Sequence, residues 1–368
     1  MLKRSSLDPT NVPLNVLHVI TTIEFGGAEK ALLTLVKAQV KRGLAVSVIG
    51  LKGNPELREF LIQSGAKYIS SVSNRPFILQ VLEVRKRVGD FDILHCHLPR
   101  AEILGAIARR ATKLVITKHN SESFYPSGWL LLSRAMSYFV AKRSYRIICI
   151  SNAVKNFLEE ISEIPKNSDK VKVVHYGIDA QFNAERTFSL KDTLTIGTIS
   201  RLVSQKNLEF LIDIVLEFKS LKRKIKCLIL GDGPDKEKLQ DKIDRCGLED
   251  DISILPKSPN INQFLSQLDV FVLASKYEGF GMVLLEAMHS QIPIVSSNVS
   301  AIPEVLGEDH PGLAQLGNVH DFVSKILNLA KPQFSTSTVE LQNKRLHEFT
   351  VNSYESRIFD LYGIGNRN

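Results

Sequence analysis

The sequence predicts an α/β protein of two doubly wound, Rossmann-like domains whose parallel sheets face a central cleft. Three observations predict it. Short, β-branched apolar runs alternate with amphipathic helical stretches along nearly the whole chain, an order that yields a parallel sheet covered on both faces. The series stops at a polar, strand-free stretch, QFNAERTFSLKD (181–192), and then begins again. At 368 residues the chain is long for one hydrophobic core and suits two.

Strands of the first series are expected at VLHVI (16–20), AVSVIGL (45–51), KYISSV (67–72), DILHCH (92–97), KLVITKH (113–119), RIICIS (146–151) and KVKVVH (170–175). Between the first two, AEKALLTLVKAQVKRG repeats apolar residues at helical spacing until Gly43 stops it. The second series reads TLTIGTIS (193–200), KCLILGDG (226–233), ISILP (252–256), VFVLAS (270–275) and IPIVSSN (292–298). The domains are therefore placed at 1–185 and 186–347, with a closing helix in 348–368. In that helix Tyr354, Ile358 and Leu361 share one face, and it is expected to pack back toward the first domain.

Hydrophobic residues make up 44% and charged residues 23%, an ordinary globular balance that excludes a disordered or fibrous chain. No apolar run reaches the roughly 20 residues that span a bilayer. The opening MLKRSSLDPTNVP lacks the apolar centre of a signal peptide. Cys96, Cys149, Cys227 and Cys246 stand without paired spacing, against both a disulfide framework and a zinc site. A cytoplasmic location is expected, peripheral on the membrane's inner face if the basic stretches below bind lipid. The net charge of +8 is uneven: the first 185 residues carry 26 Lys+Arg against 16 Asp+Glu, the remainder 21 against 23. An acidic partner for the first domain, or simply a soluble basic surface, accounts for this.

Ligands of open α/β sheets bind at the carboxyl ends of the strands, so the residues there are the candidates. After the first strand, TTIEFGGAEK places Gly26 and Gly27 where backbone can approach a ligand and a helix start can offer its N–H groups. A tight turn needs the same glycines. The fourth strand ends in HCHLPR, with His95 and His97 expected on opposite faces, His95 as a structural residue. The fifth ends in His119, followed by Asn120, Ser121 and Ser123. No third ligand stands at metal-site spacing from these histidines. Asp90-Phe91-Asp92 precedes its strand and is expected at the wrong edge for chemistry.

In the second domain, ISRLVSQKN carries Arg201 and Lys206 at the end of the opening strand, where a guanidinium fork and an ammonium can meet one anion. GDGPDKEKL lacks the third glycine of a dinucleotide loop and follows the second strand, which disfavours a nicotinamide cofactor. The fourth strand leads into KYEGFGMVLLEAM. Gly279 and Gly281 free backbone N–H groups for hydroxyl and phosphate oxygens, backed by a helix's positive end. Glu278 and Glu286 reach different parts of one extended ligand, and a carboxylate that accepts two ribose hydroxyls is a common use for such a residue.

These motifs, GGAEK, the strand-end His119, CISNAVKNF, HYGID, SRLVSQKN, LGDGP and E-GFGMVLLE-A, resemble the GT-B glycosyltransferases of family 4 over nearly the whole chain. HYGID departs from the commoner NGID. The resemblance implies a retaining hexosyl transfer from a UDP- or GDP-linked sugar to a hydroxyl acceptor in surface polysaccharide or glycolipid assembly. It also implies no cofactor and no metal. By the resemblance, Glu286 would bind the ribose, and Arg201 and Lys206 the diphosphate. Glu278, with the backbone of Gly279, Phe280, Gly281 and Met282, would contact the transferred sugar, and Gly231 and Val283 would join the donor contacts. Gly26 and Gly27 would lie near diphosphate and acceptor. His119 would contact donor sugar or acceptor near the reacting carbon, with His97 and Asn120 on the acceptor side. Fixed cations that meet the leaving diphosphate's charge would supply the largest catalytic contribution, and domain closure would exclude water.

The acceptor expected is a saccharide or lipid-linked saccharide. NRPFILQVLEVRKRVG and PSGWLLLSRAMSYFVAKRSYR combine basic, apolar and aromatic residues (Arg85, Lys86, Arg87, Trp129, Lys142, Arg143) that suit an anionic membrane surface. The alternative is that their apolar side chains pack on the sheet. Two other classes fit the chain less well. A nucleotide-sugar epimerase needs acid/base carboxylates that are not identifiable, and a non-catalytic nucleotide-sugar or lipid-binding module leaves the charged set without a purpose. No aromatic–basic platform for nucleic acid is present.

Overall fold

A computed structural model of the chain describes residues 13–24, 26–124, 130–179, 186–258 and 260–363. The MLKRSSLDPTNV opening, Trp129 with the PSG before it, and residues 181–185 of the expected linker lie outside the described residues. The chain divides into two units, one of residues up to Gly177 and from Thr350 onward, the other of Ile178–Phe349.

The first unit is a seven-stranded sheet, every neighbouring pair parallel: β1 (Asn15–Ile20), β2 (Ala45–Gly50), β3 (Lys67–Tyr68), β4 (Ile93–His97), β5 (Lys113–Lys118), β6 (Arg146–Cys149) and β7 (Val171–Val173). Their order is β3-β2-β1-β4-β5-β6-β7. Between them run α1 (Gly27–Lys41), α2 (Arg58–Gln63), α3 (Phe77–Arg87), α4 (Pro99–Ala108), α5 (Leu130–Arg143) and α6 (Asn152–Glu160). The strand order reverses between β1 and β4, which makes their carboxyl ends the switch point where such sheets hold ligands. Helix α1 buries Ala31, Leu32, Leu35, Val36 and Gln39, the stripe its helical period dictates. The expected strand KYISSV shortens to Lys67–Tyr68, because Ser70–Val72 winds into one 3-10 turn that buries Val72. Serine's weak strand preference leaves this edge pairing short.

In the second unit the strands are β8 (Thr193–Ile199), β9 (Lys224–Leu230), β10 (Ile252–Leu255), β11 (Val270–Leu273), β12 (Ile294–Ser297) and β13 (Leu313–Ala314). They lie in the order β10-β9-β8-β11-β12-β13, again all parallel. Its helices are α7 (Glu209–Ser220), α8 (Lys236–Arg245), α9 (Ile261–Leu265), α10 (Met282–His289), α11 (Ile302–Leu306), α12 (Val319–Leu329) and α13 (Pro332–Leu346). At two residues, β13 is too short to carry a period, and the sequence reading missed it. The switch point here falls between β8 and β11, the strands that lead to Arg201 and to Glu278.

The chain then closes on α14 (Val351–Leu361), which belongs to the first unit. Thr350 caps it by accepting the Ser353 N–H at 3.1 Å. Tyr354 and Ile358 are buried as its period predicts, and Tyr362 just beyond is fully buried. Arg42, the C-cap of α1, reaches Glu355 at 2.6 Å and lies over the Phe359 ring.

Candidate active site

Arg201 follows β8 and is exposed, with no hydrogen bond or ion pair from its guanidinium among the described residues. Lys206 closes the short 3-10 turn Ser204–Lys206, which Asn207 ends in the left-handed conformation. Its ammonium meets Glu278 Oε1 at 2.6 Å. Ser275 donates to the same oxygen at 2.7 Å. Glu278 Oε2 has no hydrogen-bond partner among the described residues, although the side chain is only 7% exposed. The β11 and β8 loops are stitched together besides: Gln205 Nε2 donates to the Tyr277 carbonyl at 2.9 Å and Lys276 N–H to the Gln205 carbonyl at 2.9 Å. Thus the sequence's Lys206 and Glu278, 72 residues apart, do meet.

Gly281 caps α10 at φ 87°, a conformation open to glycine at no steric cost. No side chain caps the helix, so its leading N–H groups at Met282 and Val283 remain for a ligand, with the dipole behind them. Glu286 lies one helical turn beyond Met282 and is half-buried. The Phe280 side chain is 2% exposed and packs edge-on against Phe349 at 5.7 Å. It is a core residue, and only its backbone lies in the loop.

Gly231 also has a different reason for being glycine. A Cβ there would stand 1.9 Å from the Ser200 carbonyl oxygen, and its N–H donates to Leu255 at 3.0 Å. It shapes the loop that supports Ser200–Leu202 and has no N–H to spare for a donor.

At the first unit's switch point, the space over Gly26 is taken by the Glu29 carboxylate of its own helix, 2.4 Å from an ideal Cβ. Thr22 donates to Glu29 at 2.7 Å. A carboxylate at the start of α1 suits the helix dipole. Opposite, Leu98 stands at φ 70° and ψ 151° before Pro99, a conformation that costs a side-chain-bearing residue about 1–3 kcal/mol. The Asp90-Phe91-Asp92 run is structural: Asp92 accepts the Asn15 N–H at 2.9 Å where β1 begins.

The histidines are arranged differently from the sequence reading. Residues two apart on a strand share a face, so His95 and His97 stack with ring centroids 4.3 Å apart. A third, His18 of β1, joins them. His18 Nδ1 meets His97 Nε2 at 3.0 Å, and His97 Nδ1 meets His119 Nε2 at 3.1 Å. His119 Nδ1 meets the Tyr176 hydroxyl of the HYGID loop. At the other end, His18 Nε2 meets Gln39 Oε1 at 2.9 Å and Gln39 Nε2 donates to Tyr362 Oη at 2.9 Å. Tyr362 Oη and Thr117 Oγ1 hold His95 on Nδ1 and Nε2 at 3.0 and 2.8 Å. Consequently His97, placed on the acceptor side by its sequence position, is 1% exposed and backs His119 instead. Burial drives every one of these imidazoles toward the neutral form: His18 to about 4, His119 to about 3, and His95 and His97 well below the ordinary value.

Nitrogens of His18, His95 and His97 lie within 4.8 Å of one another. That corrects the expectation that no third histidine joins the pair. All six ring nitrogens of these residues already have protein hydrogen-bond partners, so an ion would have to displace them. Asn120 donates to Glu122 at 2.9 Å. Beside them Lys118 and Glu102 form a buried pair at 2.6 Å. Burial pushes the Glu102 carboxyl upward even with Lys118 in contact, the signature of a pair whose desolvation offsets its attraction.

Sequence reasoning missed one more signal. The hydroxyls of Thr21, Ser121 and Ser200 are buried without a partner, and all three follow strands, β1, β5 and β8. A buried unsatisfied hydroxyl costs about 1–3 kcal/mol, so each of the three keeps hydrogen-bonding capacity just past a strand end.

Two family models divide the chain between them. "Glycosyltransferase Family 4" matches residues 25–182 and "Glycosyl transferases group 1" matches residues 179–344. The chain is similar to the UDP-Gal:alpha-D-GlcNAc-diphosphoundecaprenol alpha-1,3-galactosyltransferase of Escherichia coli, 24% identical over 83% of this chain and 84% of that protein. It is also similar to the N-acetyl-alpha-D-glucosaminyl L-malate synthase of Bacillus anthracis, 25% identical over 69% of each chain. Among solved structures, HepE of Anabaena with UDP and glucose superposes with a TM-score of 0.81 at 20% identity, covering 95% of this chain and 99% of that one. The two parallel-sheet units are shared with it.

Proposed function

The chain belongs to the family 4 glycosyltransferases, as an enzyme of glycan or glycolipid assembly, and we propose that it moves a sugar from a UDP- or GDP-linked donor to a hydroxyl acceptor with retention of configuration. The observation that carries the donor side is the meeting of Lys206 with Glu278 beside the open start of α10. A sugar hydroxyl can donate to Glu278 Oε2, while Lys206 and exposed Arg201 meet the diphosphate. Glu286, a turn further along α10, takes the ribose. UDP is the favoured nucleotide, because the Escherichia coli relative is named for UDP-Gal.

Transfer breaks the anomeric carbon–oxygen bond to the diphosphate and forms one to the acceptor oxygen on the same face. The acceptor proton passes to a donor phosphate oxygen, and Arg201 and Lys206 stabilise the charge that gathers on the leaving group. In this reading no divalent cation takes part. A thermal-shift panel of UDP, GDP and ADP and their sugars tests it: one nucleotide should raise the melting temperature of the wild type and fail to raise that of Arg201→Ala. Equal shifts in both proteins would remove Arg201 from the donor site, and an inverted anomer in the product would end the retaining reading.

The acceptor side is assigned to the first unit and a lipid-linked saccharide. Ile78, Leu79 and Leu82 of α3, Ile107 of α4, and Leu131, Leu132, Tyr138 and Phe139 of α5 are all exposed, so the packing alternative does not account for them. Arg85 and Arg143 donate to the α4 carbonyls of Ile107 and Ala106 at 3.3 and 2.6 Å, setting guanidinium groups beside this apolar surface. Apolar area edged with arginine fits an anionic bilayer, at about 1 kcal/mol per basic residue near the surface. Among the described residues no helix is long and apolar enough to cross a membrane. Flotation with phosphatidylglycerol vesicles should be lost in Arg85→Glu/Lys86→Glu, and salt-independent failure of the wild type to float would refute this surface.

A further inference from the structure

A neutral imidazole has one donor nitrogen and one acceptor nitrogen, so in a file of touching imidazoles each ring dictates the tautomer of the next. The file Gln39–His18–His97–His119 has at one end a carboxamide, whose orientation sets the direction of the whole file. The Gln39 oxygen only accepts, and it faces His18 Nε2; its nitrogen only donates, and it faces Tyr362. His18 must therefore donate from Nε2, which leaves Nδ1 to accept from His97 Nε2. His97 Nδ1 is then an acceptor, His119 Nε2 must donate to it, and His119 Nδ1 accepts the Tyr176 hydroxyl.

We propose that Gln39 is a positioning residue that acts through His18 and His97 to hold His119 in its Nε2–H form, so that His119 can only accept a hydrogen bond at Nδ1 and selects a hydroxyl. The proposal rests on the reading of His119 as a substrate-facing residue. Gln39 and His18 are fully buried and His97 nearly so, so none of them can touch a substrate directly. The hydrogen-bond partners along the file are all neutral groups, and burial keeps His119 uncharged down to about pH 3. An accepting, uncharged nitrogen welcomes a saccharide hydroxyl and rejects a carboxylate, carbonyl or phosphate oxygen, which brings no proton of its own. The Tyr176 hydroxyl already engages that nitrogen with the same donor chemistry, and a substrate hydroxyl would take its place. It comes from the HYGID loop at the position where the family's commoner motif has asparagine, so this feature belongs to this chain's own sequence.

Nitrogen NMR on the full chain labelled with ¹⁵N-histidine reads the tautomers directly, because protonated and bare ring nitrogens resonate in separate ranges. In the wild type, His18, His97 and His119 should all carry the proton on Nε2. Gln39→Met, which fills the same volume without an acceptor, should shift the His119 Nδ1 signal toward the protonated range. It should also lower turnover of the UDP-sugar identified by thermal shift on the order of tenfold, with donor KM little changed. A wild-type His119 protonated on Nδ1 overturns the proposal by itself, even if Gln39→Met does not fold, and so does a folded Gln39→Met with an unmoved His119 spectrum. If the tautomer moves as expected but His119→Ala leaves turnover intact, the relay stands and the substrate-facing reading of His119 falls.

Discussion

Each unit holds one lysine–glutamate contact at 2.6 Å near the carboxyl ends of its strands, Lys118 with Glu102 in the first and Lys206 with Glu278 in the second. The distances match, and the surroundings do not. Lys118 and Glu102 are 6% and 1% exposed, Lys206 and Glu278 18% and 7%. In the first pair both charged side chains are almost wholly withdrawn from solvent. In the second, Ser275 and Lys206 share one oxygen of the carboxylate, the other oxygen is left over, and exposed Arg201 belongs to the same strand-end loop. The comparison teaches that ion-pair geometry alone does not mark a site. Greater exposure beside a second, exposed cation does.

Exchanging the lysines for methionine separates the two cases. Lys118→Met should strand a buried carboxylate and cost about 3–5 kcal/mol of stability, read as a lower denaturant midpoint, with Glu102→Gln added to recover much of it. Lys206→Met should cost far less stability but lower turnover about 10²–10³-fold, the range for losing one preorganised partner of developing charge. Were Lys206→Met to unfold the protein and Lys118→Met to remain stable yet inactive, the roles assigned to the pairs would be reversed.

Acid distinguishes the units next. Four first-unit histidines, His18, His95, His97 and His119, are held neutral by burial, while among the described residues of the second unit His310 alone is so depressed, to about 4. A histidine whose folded pKa is lowered contributes stability that is present above pH 6.5 and lost as the pH falls toward the folded value. Each such group can cost up to about 1.4 kcal/mol per pH unit in that window. Calorimetry between pH 7 and 5 should show the first unit's transition moving down earlier, and equal movement of both transitions would contradict the neutral-histidine account. The smallest effect is expected for Ser275→Ala, which removes one hydrogen bond from Glu278 and should cost about 1 kcal/mol, seen as a several-fold weaker thermal-shift response to the donor.

Much of the second unit's site was legible in the sequence. Arg201, Lys206, Glu278 and the Gly281 turn all follow strands directly, and the rule that ligands gather at strand ends needs only strand positions. The misreadings have particular causes. Gly231 reads as a ligand glycine, but it is the Ser200 carbonyl, a non-local neighbour, that forbids a side chain there. His97 was assigned to the wrong face, although the period of two, correctly applied, places it beside His95.

By itself the sequence determined two wound parallel sheets, their strand ends and the charged residues at those ends, because period, propensity and turn chemistry are local properties. Only the tertiary structure decided that His18, His97 and His119 form one file, or that His95 is held by a tyrosine 267 residues away along the chain. Such contacts depend on which strands are neighbours in the sheet and on where the last helix returns. Those are settled by burying distant apolar faces together, a free energy summed over the whole unit and carried by no single segment.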